Sequence, residues 1–236
     1  MTINLFFTSL QSHPTLPTPM IKTLIFDLDN CLAPAIQVGE ALYQPAFEAI
    51  RDSNSGALSD DQLAESFAAI WNAPFDSVAD RFNYSEAMRQ AGQRVFVSLE
   101  VSGSMEGYGD LAVLQELSQK RFLVTSGYRR LQESKVDALG IRSLFESVYV
   151  DELEAPKRVG KRAYFERILE ESKLSSREVL VIGDNPRSEI AAGNQIGIQT
   201  IQTLRPGIER TTAATFHVQS LRELVDLIER LDSGIH

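Results

Sequence analysis

Cysteine is nearly absent from this chain: Cys31 is the only one in 236 residues. A lone thiol closes no intramolecular disulfide, and no CxxC or Cys/His spacing suggests structural zinc. Histidine is almost as scarce, and neither His13, His217 nor His236 pairs with a serine or with Cys31 in a recognisable nucleophile arrangement. No apolar run approaches the roughly 20 residues that a membrane-spanning helix needs. Positive charge is outnumbered, 23 Lys and Arg against 32 Asp and Glu, giving a formal charge of −9 with no basic block. That balance argues against nucleic acid or an anionic membrane as the main partner. The first residues, MTINLFFTSLQSHPTLPTP, lack the positive start and long apolar stretch of a signal peptide. Residues 1–20 read as a flexible lead-in, with Met20 an alternative start, and a cytoplasmic location is expected.

What the chain has instead is rhythm. Short apolar runs at 23–26, 122–124, 147–150, 179–182, 198–201 and 215–218 alternate with helical patterns at 110–120, 130–139, 162–173, 187–195 and 221–231. Runs without polar alternation fit strands covered on both faces, so the pattern predicts an α/β fold with a doubly wound parallel sheet. Gly140 and Gly197 stand where helices should stop. Residues 34–104 break the rhythm. They carry helical patterns at 40–51, at 59–71, where Ser59 and Gln62 form a capping-box signature, and at 85–93. Residues 94–101 extend the face of Met88 and Ala91 through Val95 and Leu99 and are read as more helix. The expected division is a core of 21–33 and 105–236 with a small helical domain, 34–104, inserted between them. Within it Phe67, Ile70 and Trp71 share a helix face that suits that domain's own core, with room for one of them to line a pocket.

In open α/β sheets ligands bind at the carboxyl ends of the strands. Here those ends are polar. The first run finishes in Asp27 and Asp29, the second in Thr125-Ser126-Gly127, the fourth in Gly183-Asp184-Asn185. Residues two apart in extended chain point the same way, so three carboxylates converge. Bare carboxylates at such range resist ionising together, which calls for a cation, and oxygen-only ligands point to Mg²⁺. A hard cation beside hydroxyl and backbone donors suits a phosphoryl group, with one aspartate as nucleophile and another as acid and base.

At these residues the chain resembles the haloacid dehalogenase-like hydrolase superfamily, over about residues 21–232 and through four motifs in order. Asp27-Leu28-Asp29-Asn30-Cys31 is similar to its first motif, which implies Asp27 as the nucleophile that becomes an aspartyl-phosphate. Asp29 is then the general acid and base, giving its backbone carbonyl to Mg²⁺. Thr125 matches the second motif, whose hydroxyl holds a phosphate oxygen, with Ser126 and Gly127 beside it as substrate-binding groups. The third motif is a lysine just before a helix. Lys157 and Lys161 both qualify, and Lys161 is preferred because Gly160-Lys161 leads straight into an amphipathic stretch. Gly183-Asp184-Asn185-Pro186-Arg187-Ser188-Glu189 looks like the fourth motif, implying Asp184 as a direct metal ligand and Glu189, in place of the usual aspartate, in a supporting role. The inserted block fits the helical cap that a subset of the family closes over its site.

The resemblance implies an Mg²⁺-dependent phosphatase acting on a small phosphomonoester. The alternatives on the same fold are a haloacid dehalogenase, which dispenses with both the second aspartate and the metal, a phosphomutase, and a degenerate binding module. Cys31 stands where the family has Thr or Val and is expected to pack behind the loop. Asp151, Glu152 and Glu154 read as a solvated acidic loop, and Arg129 and Arg130 as helix-surface arginines that could also meet a substrate's charge.

Overall fold

All six apolar runs pair into one parallel sheet in the computed structural model, which describes residues 20–233. The proline-bearing lead-in, apart from Met20, and both His13 and His236 lie outside the described residues. The strands are β1 Thr23–Phe26, β2 Lys120–Gly127, β3 Ser147–Glu152, β4 Val179–Gly183, β5 Gln199–Thr203 and β6 Phe216–Val218. Their order across the sheet is β3-β2-β1-β4-β5-β6, so β1 lies between β2 and β4. The chain winds outward in both directions from that centre, which is the switch point where a crevice opens. Every residue of β1 is buried, as an unbroken apolar run requires.

Four helices and a 3₁₀ turn cover the sheet or follow its strands. They are α5 Arg129–Ala138, α6 Gly160–Ser172, α7 Glu189–Gln195 and α8 Leu221–Asp232, with one 3₁₀ turn, Leu111–Gln115, in the place expected to hold a full helix over 110–120. The expectation fails there for a local reason. The carbonyls of Leu117 and Gln119 accept from the Arg121 guanidinium instead of from a continuing helix, and Lys120 already belongs to β2. Val113, Leu114 and Leu117 are nevertheless buried, so the apolar spacing reported burial correctly and helix wrongly. Gly140 and Gly197 take φ of 66° and 74°, the left-handed turn that ends a helix at low cost only for glycine.

Between β1 and β2 stand α1 Glu40–Asp52, α2 Asp60–Ala69, α3 Phe75–Arg81 and α4 Glu86–Phe96. The Ser59/Gln62 capping box is formed in both directions. Residues beyond Phe96 do not continue α4; the last bonds tighten to Ser98 N–H on Val95 O and Leu99 N–H on Phe96 O. The seven residues of α3 are too few for a periodicity to show, and the sequence reading has no element there. These helices bury an aromatic cluster of their own, with Tyr43, Phe47, Phe67, Phe75 and Phe96, and it runs on to Tyr128 and Leu131 at the start of α5. Rings from the insertion thus overhang the carboxyl ends of β1 and β2.

Candidate active site

The turn after β1 is built to present two carboxylates. Asp27 N–H donates to Ile182 O at 2.9 Å, carrying the β1–β4 ladder one residue past the strand. The chain then folds on itself, with Leu32 and Ala33 N–H both on Leu28 O. Asn30 takes a left-handed φ of 57°, which asparagine tolerates well. Its side chain accepts from Ala35 N–H and donates to Trp71 O, tying the turn to the end of α2. Asp27, Asp29, Thr125, Ser126, Gly127, Lys161, Asp184 and Glu189 all line one chamber of about 720 Å³, its open mouth included. The strand ends and the first turns of α6 and α7 therefore bring together every residue that the four motifs single out.

Asp27, Asp184 and Glu189 each place a carboxylate oxygen within 4.8 Å of the others, all three buried. Lys161, at the start of α6, reaches into the cluster, 2.7 Å from Asp27 Oδ1 and 2.9 Å from Glu189 Oε2. Lys157 is exposed and does not line the chamber, which Lys161 does. Glu189 is no surface residue: its side chain is 1% exposed and its Oε1 accepts from Asn185 N–H. One lysine faces three carboxylates, and the deficit is visible in their protonation. Burial, then Glu189, push the Asp27 carboxyl up to about 7 against the pull of Lys161. Burial, Glu189 and Asp27 raise Asp184 well above the ordinary carboxylate range. Burial works against the charge on Lys161, but Asp27 and Glu189 outweigh it and hold the ammonium more firmly than in water. An oxygen-only, over-negative, buried cluster fits a hard divalent cation.

Gly183 makes this arrangement possible. A Cβ there would overlap the Cγ and carboxylate of Glu189. Gly183→Ala is therefore expected to cost about 1–3 kcal/mol, because Glu189 must leave its buried place. A melting curve reads the cost; an unchanged Tm would mean that Glu189 is not held as described.

Asp29 belongs to a second ionic group. Lys135 Nζ lies 2.8 Å from both of its carboxylate oxygens, and Gln132 Nε2 donates to Oδ2 at 2.9 Å. Gln132 Nε2 also lies 2.8 Å from Thr125 Oγ1. So the Asp29 side chain stands apart from the carboxylate cluster of Asp27, Asp184 and Glu189. Gln132 and Lys135 are both buried. The sequence reading missed them, although one signal was there: they share the buried face of α5 with Leu131 and Val136.

One expectation needs correction. The acidic run 151–154 is not a solvated loop: Asp151 and Glu152 close β3, and Asp151 is 1% exposed. It accepts from Ser126 Oγ at 3.0 Å, Arg158 Nε at 2.6 Å and Gly160 N–H at 2.9 Å. Arg158 pairs in turn with Asp76 on α3, so a core carboxylate and an insertion carboxylate share one guanidinium. Arg129 and Arg130 are exposed on α5, as expected of helix-surface arginines; they pair with Glu133 and Glu152, and with Glu100, and do not line the chamber. Ile70 and Trp71 do line it, while Phe67 is insertion core. Cys31 is fully buried with Sγ 3.7 Å from Ile182 O, and burial pushes its thiol well above the ordinary range, which leaves it unreactive.

A family model described as haloacid dehalogenase-like hydrolase matches residues 21–197. Glyceraldehyde 3-phosphate phosphatase of Pyrococcus abyssi is 25% identical over 77% of this chain and 81% of its own. Pyrimidine 5'-nucleotidase PynA of Streptococcus pneumoniae is 25% identical over 89% of this chain and 95% of its own. Among solved structures, the HAD-hydrolase YfnB from Bacillus subtilis, bound to magnesium, superposes with a TM-score of 0.59 at 17% identity. That alignment covers 89% of this chain and 99% of that one.

Proposed function

Since this chain belongs to the haloacid dehalogenase-like hydrolases, we propose that it hydrolyses a small phosphomonoester with Mg²⁺, through an aspartyl-phosphate on Asp27. The single observation that carries this reading is the buried cluster of Asp27, Asp184 and Glu189 around one lysine at the end of the central strand. A dehalogenase needs no such excess of carboxylate and no second aspartate, so Asp29 and Asp184 favour the phosphatase. The relatives named above as phosphatase and nucleotidase support the same choice.

In this account an Asp27 carboxylate oxygen attacks phosphorus while the bond to the leaving oxygen breaks. Asp29 gives that oxygen its proton. Asp29, now a carboxylate, then takes a proton from water, whose oxygen attacks phosphorus, releasing phosphate and restoring Asp27. Thr125 Oγ1, with Ser126 and Gly127, holds the non-bridging oxygens, and Lys161 offsets their charge. Asp27, Asp184 and Glu189, with the Asp29 carbonyl, would hold Mg²⁺, which supplies positive charge against the phosphoryl oxygens. The helical insertion, residues 34–104, acts as the cap. Its Ile70 and Trp71 receive the leaving group, and its closure keeps water out until the phosphoryl group is placed.

Hydrolysis of p-nitrophenyl phosphate should appear with Mg²⁺ and vanish with EDTA; Mg²⁺-independent turnover would refute the reading. The pH dependence has a definite sign. Asp27 is raised in the metal-free fold, so between about pH 4 and about pH 7 the fold keeps a proton that the unfolded chain has lost. That contribution to stability is full at low pH and disappears as the pH rises through about 7. Mg²⁺ competes with the same proton, so its stabilisation grows in the opposite direction. At roughly 100-fold excess over its Kd it is expected to raise Tm by about 5 °C or more near pH 8, and by clearly less near pH 6.

A further inference from the structure

Lys135 is a buried cation whose one anionic partner among the described residues is Asp29. Burial alone would strip its charge; Asp29 restores it, and the Tyr43 hydroxyl of the insertion adds to the hold. Its geometry is symmetric, with Nζ 2.8 Å from both Asp29 oxygens, so the carboxylate is clamped at both ends of its O–C–O plane. One helical turn earlier on the same face, Gln132 adds a third donor at 2.9 Å and reaches Thr125 Oγ1 and Ser126 O as well. Gly127 leaves the space for this: a Cβ there would come within 2.7 Å of Gln132 Cγ. On β1's other side Lys161 spends its charge on Asp27 and Glu189. Among the described residues, two buried lysines thus divide these acidic groups into two sets that do not share a cation.

We infer that Lys135, assisted by Gln132, is the positioning residue for the acid and base Asp29. It keeps the Asp29 carboxyl out of the Asp27, Asp184 and Glu189 cluster and fixed against the chamber, where the leaving oxygen must be met. Without the clamp a free carboxylate two residues from Asp27 can swing toward any cation in the cluster and is lost to proton transfer. Gln132 couples this placement to Thr125, so that the group holding the phosphate and the group protonating the leaving oxygen are set by one helix face. This inference rests on the phosphatase reading.

The test separates the two claims by leaving-group dependence. Poor leaving groups need a proton from Asp29, whereas p-nitrophenolate departs with little help. For Lys135→Met, the single-turnover rate of Asp27 phosphorylation, read by acid quench ahead of the shared water step, should fall about 10²-fold with an alkyl phosphate and less than about 5-fold with p-nitrophenyl phosphate, with KM little changed on either. Adding Lys135→Met to Asp29→Asn should cost almost nothing further, since the lysine acts only through Asp29. Lys135→Arg should recover part of the loss. Equal losses in the phosphorylation rate on both substrates, or a large further loss in the double variant, would show a merely structural lysine and overturn the inference. Should Lys135→Met fail to fold, Lys135→Arg and the charge-matched double variant carry the same comparison. Wild-type protein inactive on every phosphomonoester with Mg²⁺ would instead defeat the phosphatase reading itself.

Discussion

Asp27→Asn is expected to lower kcat for p-nitrophenyl phosphate by about 10⁴-fold or more, because loss of a nucleophile removes the covalent route and leaves only binding and charge stabilisation. The variant should fold. Asp27 is 7% exposed, and its carboxyl already sits near its protonation point, so the amide copies the shape of the protonated form that the metal-free protein tolerates. Removing one of three mutually repelling carboxylates should leave the metal-free Tm unchanged or higher at about pH 8. Activity and stability should therefore move apart. A metal-free Tm that falls by many degrees would mean that Asp27 supports the fold through its pairing with Lys161 more than its burial opposes it.

Lys161→Met should act on stability as strongly as on activity. The side chain is 5% exposed and is the only described cation that pairs with Asp27 or Glu189. Methionine fills similar volume with no charge, which leaves three buried carboxylates uncompensated. Breaking a buried pair in this way costs about 3–5 kcal/mol, which in a chain of this length corresponds to a fall in Tm of about 10 °C. The three carboxylates can soften the loss by binding protons, so it should be larger near pH 8 than near pH 6. Mg²⁺ should recover part of it, since the cation meets the same deficit. Catalysis should fall by about 10²–10³-fold even with Mg²⁺ present, as the charge facing the phosphoryl group is lost. Measuring melting with and without Mg²⁺ at both pH values tests each part. A Tm that ignores the substitution would show that the carboxylates are neutral in the fold and need no lysine.

The parts of this molecule legible in its sequence are those that local chemistry decides. An apolar run that ends in two aspartates has one sensible place in a parallel sheet, and Asp27 and Asp29 are there, at the end of the central strand. Ser59 and Gln62, three residues apart, write their capping box into the sequence, and Gly140 and Gly197 write their helix ends. What was hidden is decided across long separations. Lys135 meets a partner 106 positions away and Gln132 one 103 positions away, so on α5 they look like any other polar residues until the sheet is assembled. Asp151 looked solvated for a related reason: Ser126 lies on another strand, and Arg158 and Gly160, though only 7 and 9 positions away, return to it only through the turn that leads into α6. At 110–120 an apolar spacing of three proved compatible with a 3₁₀ turn and an irregular stretch, because one arginine could take the carbonyls that a helix would have used.

The phosphoenzyme is the point on which the functional account stands. Wild-type protein mixed with ³²P-labelled phosphomonoester and Mg²⁺, quenched in acid during turnover, should carry covalent label that hydroxylamine removes, as an acyl phosphate requires. Peptide mapping should place the label on the segment containing Asp27, and Asp27→Asn should carry none. Steady turnover with no covalent label on the chain, or label that persists in Asp27→Asn, would contradict the account.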